Sequence, residues 1–372
     1  MKRKANFELM RVVAMLMIVI WHIIVHGRLN ELPGVYGVFF NVILLIVIVH
    51  VNSYIILTGY FQYKSTFKPK KLLSILGTSW FYRILFTVIF IFIFHISLGN
   101  VYLFQMLSPL DFFENYYFIT NYAIIYLFSP FFNSLIQKIN QKEHRRLLII
   151  LFICFSVLPA VSNDSIIKNN GHDLIQFIFM YFLGAYLGKY DINNNLHLKN
   201  YSQNKIKVIC LITFITCAFL NLTISNYGNY MQSLDSNIFI FIGNIISSKS
   251  LIYSNPIVII QSVSFFVFFK NLNIKDNLFS KFIIKISPYC LGVYLITENY
   301  LVKEHIYSFL KTDINSFTYN NKFIIYLIIV TLGIFIVCTL IECIRQKIFE
   351  FIGKRKPIIK IKEKFSKFIR EY

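Results

Sequence analysis

The chain has 372 residues, of which 56% are hydrophobic, 18% aromatic and only 15% charged. A soluble domain carries about 45–50% apolar and about 25% charged residues. This composition, with a mean hydropathy of +0.61, therefore excludes a soluble globular enzyme and a disordered or collagen-like chain. The 37 Lys and Arg against 17 Asp and Glu, a net charge of +20, would first suggest nucleic acid, but the placement of the basic residues excludes that partner too.

Lys2, Arg3 and Lys4 precede an apolar stretch with no small-residue cleavage site, which reads as an uncleaved first span rather than a signal peptide. Further stretches of spanning length follow. The predicted spans are 7–26, 36–60, 73–97, 117–137, 147–161, 174–188, 208–224, 254–270, 286–302 and 323–343. Lipid offers backbone groups no partner, and alternating ten-residue segments are missing, so the expected class is all-α: a polytopic helix bundle of about ten spans. With the N-terminus inside, the inner segments hold 29 Lys and Arg and the outer loops 6. That asymmetry is the positive-inside pattern, and it predicts both termini in the cytoplasm. The stretch Ile238–Ile246 is apolar but too short to span, and reads as part of an outer loop, re-entrant or interfacial. Residues 1–344 form one membrane domain; 345–372 form a basic cytoplasmic tail, lying on the anionic inner leaflet or disordered.

Ionisable groups inside spans are costly and mark candidate sites. The first span carries Glu8, Arg11, His22 and His26. Eleven residues at about 100° each is some 20° beyond three turns, so Arg11 and His22 share a face, about 16 Å apart along the axis. His26 lies one turn further out, at the border of the outer loop. Arg83 is set deep in the third span, and Glu298 deep in the ninth between Thr297 and Asn299. Gly184 and Gly188 form a GxxxG packing motif, and Gly59 sits near the inner end of the second span. The six cysteines show neither CxxC nor a Cys/His metal spacing, so no metal is expected.

These features together resemble the acyltransferase-3 family of bacterial multi-span O-acyltransferases, which modify cell-surface glycans. The opening ANFELMRVVAMLMIVIWHIIVHG is similar to the family's first helix, whose mark is an Arg, ten residues, then a His; here these are Arg11 and His22. NSYIILTGYF, WFYRIL with Arg83, NYYFITNYAIIYLFSPFFN and FIFMYFLGAYLGKY resemble later segments in order. LGVYLITENY resembles the ninth-helix motif, except that Thr297 stands where the family has a His before the Glu, here Glu298.

The resemblance implies a cytoplasmic acyl-CoA donor, usually acetyl-CoA, and an acceptor hydroxyl on an extracytoplasmic surface polysaccharide or lipid-linked saccharide. It implies a multi-pass protein of the cell membrane. Arg11 and Arg83, helped by Lys64 and Lys68, would bind the CoA phosphates. His22 would be general base or acylated nucleophile, and Glu298 would orient and stabilise it as in a triad. The competing class is a transporter or flippase for a glycan precursor.

Overall fold

A computed structural model describes residues 3–97, 99, 116–161, 171–190, 201–234, 236–318 and 322–353. Among these residues the regular structure is helical and no strand occurs. The helices are α1 (Ala5–His26), α2 (Gly34–Val47), α3 (His50–Gln62), α4 (Pro69–Phe92), α5 (Tyr117–Lys138) and α6 (Gln141–Phe152). They continue with α7 (Leu174–Lys189), α8 (Gln203–Gln232), α9 (Asn237–Ser248), α10 (Pro256–Lys270), α11 (Leu278–Ile286), α12 (Cys290–Thr297), α13 (Tyr300–Phe309) and α14 (Lys322–Gly353). A π-helical turn at Ile153–Val157 carries α6 on to Val161, where Pro159 cannot donate an amide hydrogen bond.

Eight helical stretches among the described residues are long and apolar enough to cross a membrane: 5–26, 34–62, 69–92, 117–138, 141–161, 203–232, 278–297 and 322–353. The predicted spans at 174–188 and 254–270 form α7 and α10, apolar helices of 16 and 15 residues. At 1.5 Å per residue these are about 24 and 22 Å long, short of a hydrocarbon core of about 30 Å. The chain is thus an all-α polytopic bundle with α1 at its centre, packed against α2, α3, α10, α11, α12, α13 and α14.

Three elements differ from the sequence expectation in ways that shape the site. The second span breaks at Ile48–Val49 into α2 and α3. The His50 side chain meets the Val47 carbonyl at 2.6 Å, supplying the partner that lipid cannot. The ninth span begins earlier than predicted, at Leu278, kinks through a 3₁₀ turn at Ser287–Tyr289, and ends at Thr297. Glu298 therefore lies at a helix end, not deep within a helix. The cause is Asn299, whose side chain accepts from the Leu301 amide and starts α13. Finally, Ile238–Ile246 falls within α9, a 12-residue helix folded back on α8, with Gly228 and Gly243 in backbone contact.

The GxxxG glycines of α7 pack on α3. A Cβ at Gly184 would collide with the Ile56 carbonyl, and one at Gly59 with the Tyr181 carbonyl, so the two backbones touch as small residues permit. α14 runs through residue 344 to Gly353; the remainder of the basic tail, 354–372, lies outside the described residues.

Candidate active site

α1 builds the site because its sequence holds no Gly or Pro before Gly27 and so stays helical over 22 residues, carrying four polar residues on one wall of a cavity. That cavity has a volume of about 610 Å³ and follows α1 from Arg3, Glu8 and Arg11 to His22 and His26. From Glu8 to His26 is about 27 Å of helix at 1.5 Å per residue. The cavity is therefore a passage along the bundle rather than a dimple on it.

One end is basic. Arg11 lines it with its guanidinium 2.5 Å from Glu8, and Glu8 also accepts a 2.5 Å hydrogen bond from Ser287. The Tyr54 hydroxyl donates to the Arg11 carbonyl at 2.6 Å. Lys71 lines the same end, its ammonium 4.9 Å from the centre of the Tyr126 ring.

The other end holds the histidines. Nε2 of His22 is 3.0 Å from Oε2 of Glu298, and Nε2 of His26 is 3.1 Å from that same oxygen. Lys303 Nζ takes the second oxygen, Oε1, at 3.1 Å. His22 and Glu298 side chains are only 8% and 11% exposed, so three nitrogens, of His22, His26 and Lys303, surround the carboxylate in place of water. On the far side of the His22 ring, Nδ1 is 3.2 Å from Thr297 Oγ1. Thr297 donates its own hydroxyl proton to the Val293 carbonyl at 3.0 Å. Its oxygen must then accept, so Nδ1 of His22 carries the hydrogen. This leaves Nε2 as the nitrogen that faces Glu298.

The cavity is also lined by aromatic rings, one of them from α1 itself. Trp21, Tyr117, His172 and Tyr253 line the cavity beside Glu298. The Tyr253 hydroxyl is 3.1 Å from His50 Nε2, and Asn52 and Gln176 donate to the Tyr253 carbonyl at 2.9 and 3.2 Å. The helix break at His50 thus anchors the turn that presents Tyr253.

Of the residues singled out in the sequence, the structure brings His22 and Glu298 into contact and sets Arg11 on the same cavity. Arg83 is not among the lining residues. Its guanidinium lies 5.3 Å from the centre of the Tyr116 ring, and Tyr116 in turn bonds the Leu295 carbonyl at 2.6 Å and Asn299 at 3.0 Å. Arg83 therefore braces the helix end that carries Glu298. Lys64 and Lys68 are exposed and also outside the lining, each within a few residues of the lining groups Gln62 and Lys71. The triad expectation changes in one respect: Glu298 meets Nε2 of His22, and Thr297 meets Nδ1 on the far side of the ring. His26 shares the site instead of facing water, because its ring packs on Tyr307 at 5.7 Å. Sequence reading did not identify His50, Tyr253, His172, Lys71 or Lys303. His50 lies inside the predicted second span and carried the same signal as Arg83, whereas the other four only border apolar runs.

A family model described as an acyltransferase domain matches residues 4–343. No curated protein and no solved structure matches the chain.

Proposed function

The chain belongs to the acyltransferase-3 family, and from that premise we propose that it is an O-acetyltransferase of the cell membrane. In this reading it moves an acetyl group from cytoplasmic acetyl-CoA to a hydroxyl of an extracytoplasmic surface polysaccharide or lipid-linked saccharide. The observation that carries the reading is a single cavity with a guanidinium, Arg11, at one end and the His22–Glu298 pair at the other.

The CoA phosphates bind at the basic end, on Arg11 with Lys71 adding charge, while exposed Lys64 and Lys68 attract the polyanion to the mouth. The pantetheine arm lies along the cavity and brings the thioester to His22, about 16 Å further along α1. The saccharide enters from the other end. The aromatic wall of Trp21, Tyr117 and Tyr253 suits the apolar CH faces of a sugar ring, and the hydroxyl and imidazole groups beside it suit its hydroxyls.

His22 Nε2, acting with Glu298, removes the proton of the acceptor hydroxyl as its oxygen attacks the thioester carbon. The ester C–O bond forms, the C–S bond breaks, and the proton passes to the departing thiolate. Glu298 stabilises the imidazolium throughout, and Thr297 keeps the ring in the tautomer that leaves Nε2 to react.

The experiment is transfer or hydrolysis of labelled acetyl-CoA by the purified protein, compared with His22→Ala. Consumption by the wild type that His22→Ala abolishes is the expected result. A protein that consumes no donor, while moving a saccharide across vesicles, would make the cavity a transport path instead.

A further inference from the structure

His22 and His26 are one helical turn apart, and Glu298 reaches them from a chain segment 272 residues beyond His26. One ligand atom from each lies within 4.8 Å of the other two. We propose that His22, His26 and Glu298 form a three-ligand site for a transition-metal dication of the Zn²⁺ class.

The donor set, two imidazoles and one carboxylate, matches the chemistry that Zn²⁺ takes in sites with an open fourth position. The separations fit as well. Two ligands on a tetrahedral Zn²⁺ with bonds of about 2.0–2.1 Å sit about 3.3 Å apart. Here Nε2 of His22 and of His26 stand 3.0 and 3.1 Å from Oε2 of Glu298. The three ligand atoms all lie within 4.8 Å of one another, so side-chain movement of up to about 1.5 Å brings them to that spacing.

The surroundings are those a metal site needs. Thr297 accepts the Nδ1 hydrogen of His22, which holds the ring and leaves Nε2 as the donor. Lys303 engages Oε1 of Glu298 and so leaves Oε2 to the metal. All three ligands line the cavity, which gives the ion a path in and leaves the fourth position open to it. The carboxylate offsets part of the cost of placing a dication in a mostly buried site, and the ion takes the place of hydrogen between the Nε2 atoms and Oε2.

Binding stands on this geometry alone. Its functional consequence rests on the proposed activity: Zn²⁺ on Nε2 occupies the lone pair that would act as base. Bound Zn²⁺ therefore inhibits, and a chelator reverses the inhibition.

The test is titration of the purified full-length chain in detergent with Zn²⁺, read by calorimetry, with X-ray absorption at the zinc edge to count imidazoles. One Zn²⁺ per chain with two imidazole ligands is expected. His26→Gln and Glu298→Gln should each weaken binding by at least about tenfold, and Thr297→Val by about 10–100-fold through loss of the supporting hydrogen bond. Thermal unfolding of each variant checks that it is folded; should one ligand variant not fold, Thr297→Val and the other carry the comparison. A wild-type protein that takes up no stoichiometric Zn²⁺, or one whose binding survives both ligand substitutions, overturns the proposal. Since the readout is the metal, a chain that binds Zn²⁺ here yet ignores acetyl-CoA would sink the proposed function and leave this inference standing.

Discussion

His22 holds two relationships that separate its contribution from that of His26. Its Nδ1 is fixed by Thr297 and its Nε2 meets Glu298, whereas His26 contributes one donor to an oxygen that His22 already engages. His22→Ala should lower turnover by about 10²–10⁴-fold, the range for loss of a general base. His26→Ala leaves Glu298 with His22 and Lys303, and the loss should be about tenfold, the equivalent of one hydrogen bond to a charge. Turnover of the two variants at matched protein levels decides this; equal losses would make the histidines equivalent. Thr297→Val keeps the volume and removes the acceptor for Nδ1. It should lower kcat while leaving the KM for acetyl-CoA unchanged. Arg11 calls for a paired design, because Arg11→Ala strands the buried Glu8 carboxylate. Glu8→Gln combined with Arg11→Gln removes both charges. This double variant should stay folded and bind acetyl-CoA more weakly; unchanged affinity would return Arg11 to a structural part.

At the scale of elements, two glycines of similar appearance in sequence have opposite surroundings. Gly184 on α7 lies against the Ile56 carbonyl of α3, and any Cβ there would clash with backbone. Gly77 on α4 has nothing within 4 Å of a built Cβ. Gly184→Leu should separate α3 from α7 and cost at least about 1–3 kcal/mol, the range for overpacking. Gly77→Ala should be neutral or stabilising by up to about 1 kcal/mol through helix propensity. Thermal unfolding in detergent reads both, and a destabilised Gly77→Ala would mean that a partner covers that face of α4. The α3–α7 contact matters to the site because α3 carries His50 and Asn52 and α7 carries Gln176, which together hold Tyr253.

For the whole molecule, the distribution of Lys and Arg predicts that both termini face the cytoplasm. Any even number of crossings does that; keeping the basic 189–207 loop on the same side as well requires α7 and α10 to cross despite their 16 and 15 residues, with α9 not crossing. Reporter fusions after Lys311 and at the C-terminus check it: Lys311 outside and the C-terminus inside is the expected pattern. A C-terminus on the outer side would mean an odd number of crossings and make α9 a candidate span.

The sequence by itself determined the class of the molecule. Hydrophobic runs, sparse charge and asymmetric basic loops follow from the low dielectric of the bilayer, which acts on every residue locally and so leaves a local record. It also placed Arg11 and His22 on one face, since helical periodicity converts spacing into direction. The pairing of His22 with Glu298 joins α1 to the end of α12 across more than 270 positions, and no periodicity reports such a contact. The part of Thr297 was equally hidden. A threonine in an apolar run reads as ordinary helix surface until a neighbouring helix brings an imidazole to its oxygen. His26 was misjudged for the same reason: its distance along α1 suggested water, but α13 supplies Tyr307 to cover it. Arg83 was legible as a costly buried charge, while the direction in which it points was set by Tyr116 on a separate segment. Local physics fixes which residues are expensive to bury; only the packing of distant helices decides what each of them meets.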